Sequence, residues 1–207
     1  MTNLLDPLVL THLTPYLLIP AIMVGFFLHR DQLKAILFSY DFLQVAQVAI
    51  ILSMFFEFLY HDQVQQWVYE STDMDVTNGL MYVFMNMGFA LICISFYREK
   101  ITDLIAILLV IATPIFYFVI VFKPIIWISQ AFFTILITYR GWVLFKDWKI
   151  FLFPLFSFVV NMIFISLLFQ TGDPLYHILH DIAGTLLGYG LLGLVIIIGA
   201  RKTSDQV

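Results

Sequence analysis

The chain has 207 residues, of which 62% are hydrophobic and only 12% charged, with 22 phenylalanines and a net charge of −4. Its mean hydropathy is +0.97, whereas a soluble domain is nearer half apolar with about a quarter of its residues charged. These values exclude a soluble globular domain and describe a protein dissolved in lipid; no basic patch points to nucleic acid.

A hydrocarbon layer of ~30 Å needs roughly 20 apolar residues per helix, and seven such runs are expected in chain order. The first covers residues 8–28. Asp6 stands where a signal peptide would carry a positive charge, so the run is taken as a retained helix. It contains His12 and ends at His29, Arg30 and Lys34, a basic flank. The second run, 42–60, ends in "SMFFEFLYH", which places Glu57 a turn below the membrane surface and His61 at its end. A carboxylate at that depth needs a cation, a proton or a hydrogen-bonding partner.

The longest break follows at 61–78, "HDQVQQWVYESTDMDVTN". Loops of this length in compact proteins are usually functional or disordered, and Trp67 and Tyr69 suit the headgroup boundary. Asp62, Glu70 and Asp75 of this break, with Asp173 further on, are read as a solvated acidic face. The third run, 79–97, carries the only cysteine, Cys93, read as a small buried apolar residue. Arg98 and Lys100 follow it.

The fourth run, 101–122, contains Pro114, expected as a kink, and is followed by Lys123. The fifth, 124–145, carries Arg140 a little inside its end, where snorkelling to the surface is the ordinary expectation. The sixth, 150–169, has Pro154 near its start and Ser157 and Asn161 within it. These two, with Asn78, Asn86 and Gln130, either line a lipid cavity or bond between helices.

The seventh run, 176–200, opens with "YHILHDIAG". His177, His180 and Asp181 fall three and four residues apart and share one helix face, and Gly184, Gly188, Gly190 and Gly193 give a small-residue face for close packing. Arg201 and Lys202 close it. Basic residues cluster after runs 1, 3, 5 and 7, so the positive-inside rule puts the N-terminus outside and the C-terminus in the cytoplasm. The expected protein is all-α, a single seven-helix multi-pass domain over 1–207, in a bacterial inner membrane or an ER/Golgi-type membrane.

On this topology His12, His61, His177 and His180 share the outer leaflet with Glu57, Asp73 and Asp181. Ionisable groups within a membrane are functional-site candidates by default, and imidazole with carboxylate is the donor set of Zn²⁺, three protein ligands and a water making a catalytic site. The expected metal ligands are His61, His177 and His180. Asp73 or Asp181 would orient a ligand or take a proton from bound water, which a zinc ion brings to a pKa of about 7. Iron and manganese suit the same donors.

A helix 2 histidine, an aspartate in the segment after it, and two histidines opening helix 7 resemble the alkaline ceramidase and adiponectin-receptor group of seven-helix membrane hydrolases, the CREST superfamily. The resemblance implies zinc held by His61, His177 and His180, with Asp73 as the family aspartate and Glu57 where the family has a serine. It also implies hydrolysis of an amide or ester bond in a membrane lipid, with Asp73 or Glu57 moving the proton to the leaving group. Two features depart from that pattern: "HILH" is one residue shorter than the family's His-x-x-x-His, and Glu57 replaces a hydroxyl donor with a base or a fourth ligand.

Other readings of the same residues are a haem protein with histidine axial ligands and a seven-helix sensor or receptor without turnover. A rhodopsin is disfavoured because no lysine lies within the seventh run, and a rhomboid protease because its Gly-x-Ser motif is missing. Without broken inverted repeats, a transporter is disfavoured as well.

Overall fold

The computed structural model describes residues 7–64, 72–184 and 190–204. Nine α-helices occur among them, and no strand. They are α1 (Pro7–Leu28), α2 (Arg30–Ile36), α3 (Tyr40–Val64), α4 (Thr72–Phe96), α5 (Lys100–Pro114), α6 (Ile125–Phe145), α7 (Trp148–Thr171), α8 (Pro174–Asp181) and α9 (Leu191–Ser204). Four stretches among the described residues are long and apolar enough to cross a bilayer: Tyr40–Glu57, Val76–Phe96, Lys100–Val119 and Ile125–Phe145.

Contacts sort the chain into two compact units, residues 37–137 and residues 1–36 with 138–207. In the first, α3 and α4 pair along their length. Phe56 and Phe84 stack with ring centroids 5.5 Å apart and planes within 6°. Gly88 brings the helices together, since a Cβ there would lie 2.6 Å from Ile50 Cγ1 and 3.2 Å from the Ala46 carbonyl. Where α4 ends, its orphan carbonyls on Ser95 and Phe96 accept from the amides of Ser39 and Phe38 at 3.2 and 3.3 Å. Ser39 Oγ in turn accepts the Phe42 amide at the start of α3. Each helix end thus finds partners in the connecting turn, as orphan terminal groups require.

Pro114 does more than kink its helix. Proline has no N–H to donate and clashes with the carbonyl four residues back, and here the next turn, Ile115–Val119, widens to π geometry. Thr113 Oγ1 donates to the Leu109 carbonyl at 2.7 Å. The turn closes with the Phe122 amide on the Phe116 carbonyl at 2.7 Å and with Val121 at φ 59°. A β-branched residue in that left-handed region is a strained one.

In the second unit α9 lies on α1. A Cβ on Gly193 would sit 2.8 Å from Ile22 Cγ2, and Gly190 faces Leu18 at 3.2 Å, so two of the four expected small residues do make a close packing face. Within the seventh run α8 passes into a π-type turn at 182–184, and a π-type residue at 190 precedes α9; residues 185–189 lie outside the described ones. Gly172 at φ 69° stops α7, its amide on the Leu168 carbonyl, and Asp173 then caps α8 by accepting the Leu175 amide at 2.9 Å, with Pro174 in the first turn. Gly at C′, Asp at the N-cap and Pro at N1 are the residues such a turn asks for.

Candidate functional site

Two side chains of α7 donate to backbone carbonyls at and just after the end of α8. Asn161 Nδ2 donates to the His180 carbonyl at 3.3 Å, and Ser157 Oγ donates to the Ala183 carbonyl. Gly184 makes the approach possible, because a Cβ there would stand 2.7 Å from Asn161 Nδ2.

Asn161 grips the same residue twice. Its Oδ1 lies 3.0 Å from His180 Nδ1. With Nδ2 committed to a carbonyl, Oδ1 must accept, so Nδ1 of His180 carries a proton and the lone pair of the neutral ring is on Nε2. That is how a carbonyl oxygen fixes the tautomer of a ligating imidazole. The His177 ring is 6.2 Å from that of His180, centroid to centroid, and inclined at 58°. Two imidazoles on one tetrahedral zinc, with Zn–N of about 2.1 Å, would stand roughly 5 Å apart, so the pair is splayed about 1 Å beyond a shared ion.

The other expected site residues divide between the units. Glu57 and His61 lie on α3 and Asp73 in the first turn of α4, all in the 37–137 unit. His177, His180 and Asp181 belong to α8 in the other. The side chains of His12, His61, Asp62, Asp73, Asp75 and Asp181 lie outside the described residues, as do Trp67, Tyr69, Glu70 and Gly188 altogether. Among the described residues no group of three or more His, Cys, Asp or Glu side chains could hold a metal.

The 37–137 unit has its own polar interior. Asn86 Nδ2 donates to Thr113 Oγ1 of α5 at 2.9 Å and to Ser129 Oγ of α6 at 2.8 Å. Both hydroxyls donate onward to carbonyls, Thr113 to Leu109 and Ser129 to Ile126. Asn86 Oδ1 is buried with no partner. About two turns away on the same helix, Asn78 Nδ2 donates to the Tyr117 hydroxyl at 3.0 Å, and Lys123 Nζ lies 5.9 Å from the centroid of that ring. Tyr117 comes from the π turn. Gly79 admits it, as a Cβ would lie 2.8 Å from Tyr117 Cε1 and closer still to Phe118.

Two residues contradict ordinary expectations. Arg140 does not snorkel: its side chain is fully buried. His29, expected only as part of a basic flank, brings Nε2 within 2.8 Å of Arg201 Nη2 and ties the end of α1 to α9. Of the polar residues expected either to line a cavity or to bond between helices, the geometry selects interhelical hydrogen bonding for Ser157, Asn161, Asn78 and Asn86.

Comparison with known families decides the class. The 7TM_cyano family, described as seven transmembrane receptor, matches residues 5–202. The chain belongs to this family. No curated protein and no solved structure matches it. As a 7TM_cyano member it is an integral, multi-pass membrane protein, and the helices fit that description once α2 is set aside as a short connector. Among the described residues four stretches are long and apolar enough to cross a bilayer, and Leu17–Leu28 and Leu155–Thr171 are shorter apolar helices.

Proposed function

We propose that the protein is a seven-helix membrane receptor or sensor that works without hydrolytic turnover. The observation that carries this reading is the match of a receptor family to nearly the whole chain. The architecture supports it in a second way. Receptors need elements with two discrete arrangements, and side-chain hydrogen bonds that can exchange lie at two π-type turns: Asn78 to Tyr117 after α5, and Asn161 with Ser157 at the end of α8.

The test is an enzymatic one. Protein in lipid nanodiscs is incubated with N-acyl and O-acyl lipids, and free fatty acid is followed by mass spectrometry. No release above an empty-disc control is the expected result. Release that disappears in His180→Ala would overturn the receptor reading.

One observation favours a second reading, the lipid hydrolase of the ceramidase type. Asn161 holds His180 in the tautomer a metal ligand needs. On this reading His61, His177 and His180 hold a zinc ion, or iron or manganese, which when bound supplies Lewis acidity toward an acyl carbonyl. Asp73, Glu57 or Asp181 moves the proton. Elemental analysis of freshly purified protein discriminates: about one zinc per chain, lost in both His61→Ala and His180→Ala, would carry the hydrolase reading, and metal-free wild type would end it.

A further inference from the structure

Arg98 stands between α4 and α5, two residues before the membrane stretch that opens at Lys100. Its Nε donates to Asp103 Oδ2 at 2.8 Å, and that carboxylate is only 3% exposed whereas the Arg98 side chain is 55% exposed. The same Asp103 oxygen accepts the Glu99 backbone amide at 3.2 Å, which anchors it. The guanidinium carbon lies 5.4 Å from the centroid of the Phe38 ring. A carboxylate in line with Nε and an aromatic face beside the plane fix both the direction and the tilt of the group.

A guanidinium presents its donors in a rigid fork, which matches phosphate oxygens in pairs. With Nε engaged by Asp103, the fork that remains is the one formed by Nη1 and Nη2. The two nearby carboxylates are each held by other groups, and Lys100 adds a second cation. Glu99 turns its carboxylate back onto Thr102 Oγ1 at 3.0 Å, Asp103 is buried, and Lys100 is exposed.

Depth decides what such a fork meets. Exposed Phe38 lies against the guanidinium, and Ile101 and Leu104, exposed and apolar, belong to the membrane stretch that opens two residues after Arg98 and mark the edge of the hydrocarbon. Lipid phosphates sit at that boundary. We propose that Arg98, with Lys100, binds the phosphate of an anionic phospholipid, and that Asp103 and Phe38 are positioning residues for the guanidinium. Free phosphate would satisfy the fork but leave the apolar rim bare, so the committed ligand is the lipid. This site stands apart from the receptor reading and does not depend on it.

The experiment uses the full-length chain in mixed micelles containing equal amounts of phosphatidylglycerol and phosphatidylcholine, with bound lipid counted by native mass spectrometry. Wild type is expected to retain phosphatidylglycerol in preference. Arg98→Gln and Arg98→Lys are both expected to lose that preference about tenfold, the worth of one charge-assisted forked contact; the lysine variant keeps the charge and isolates the fork. Phe38→Leu should lower the lipid ratio about threefold while helicity and melting temperature stay unchanged, which a merely structural role would not do. An unchanged ratio in Arg98→Gln would overturn the proposal. So would displacement of the lipid by excess inorganic phosphate with equal occupancy, which would make the ligand a free anion.

Discussion

Asn86 offers a sharp test of what a buried amide does in this protein. Replacing it with leucine, which has the same branching, removes two hydrogen bonds to Thr113 and Ser129. Interhelical side-chain bonds in membrane proteins average about 0.6 kcal/mol, so the loss is about 1.2 kcal/mol. The two hydroxyls are not stranded, because each still donates to a carbonyl of its own helix. The substitution also removes Oδ1, a buried acceptor without a donor, and relieving such a group returns about 1–3 kcal/mol. Leucine methyls need more room than the 2.8–2.9 Å hydrogen-bond distances allow, and that overpacking costs about 1 kcal/mol at the low end of its range. The terms nearly cancel. Asn86→Leu should therefore lie within about 1 kcal/mol of wild type, measured by reversible unfolding in mixed detergent–SDS micelles with helicity followed by circular dichroism. A loss of 3 kcal/mol or more would refute the reasoning and mean that Oδ1 holds a partner of its own, such as an ordered water.

Gly79→Ala should destabilise by about 1–3 kcal/mol through overpacking, because its Cβ runs into Phe118 and Tyr117; hydrogen exchange should quicken at Ile115–Val119 more than elsewhere. Asn161→Ala removes two hydrogen bonds to His180, at a cost of about 1–3 kcal/mol, and amides following α8 should exchange faster while those of α3 and α4 stay protected. Equal exchange throughout would show that the α8 end is held by packing rather than by Asn161.

Hydropathy alone located most of the helices, because lipid imposes length and composition together. The second run at 42–60 became Tyr40–Val64 and the fifth at 124–145 became Ile125–Phe145. What hydropathy could not show was helix without lipid. The first turns of α4 are Thr72, Asp73, Met74, Asp75 and Val76, polar enough to look like loop, yet α4 starts at Thr72 and α3 continues to Val64, so much of the 61–78 break is helical. α2 escaped for the same reason: seven residues with Asp31 in its first turn and Lys34 in its last are stabilised by the helix dipole and one buried leucine rather than by hydrocarbon. In the seventh run the unbroken apolar stretch gives no sign of the π-type turns at 182–184 and 190, because Gly184 and Gly190 there also serve close packing.

The candidate site was legible as residue types and illegible as partnerships. His180 stood out because imidazole is rare in hydrocarbon, but nothing in spacing identified Asn161, nineteen positions earlier in the chain, as the side chain that fixes its tautomer. A general signal does exist. Where a membrane helix is interrupted, its freed carbonyls demand donors, and the nearest spans must carry Asn, Ser or Thr at the matching depth. Asn161 and Ser157 supply such donors where α8 passes into its π-type turn; at the π turn after Pro114, Asn78 instead donates to the Tyr117 hydroxyl. Each of these amides has both a donor and an acceptor, so each can trade one partner for another without leaving a buried group unpaired. Any second state of the bundle that shifts α8 or the π turn must therefore re-pair Asn161 or Asn78, and a change in those hydrogen bonds is where a ligand-driven transition in this receptor family member would first be seen.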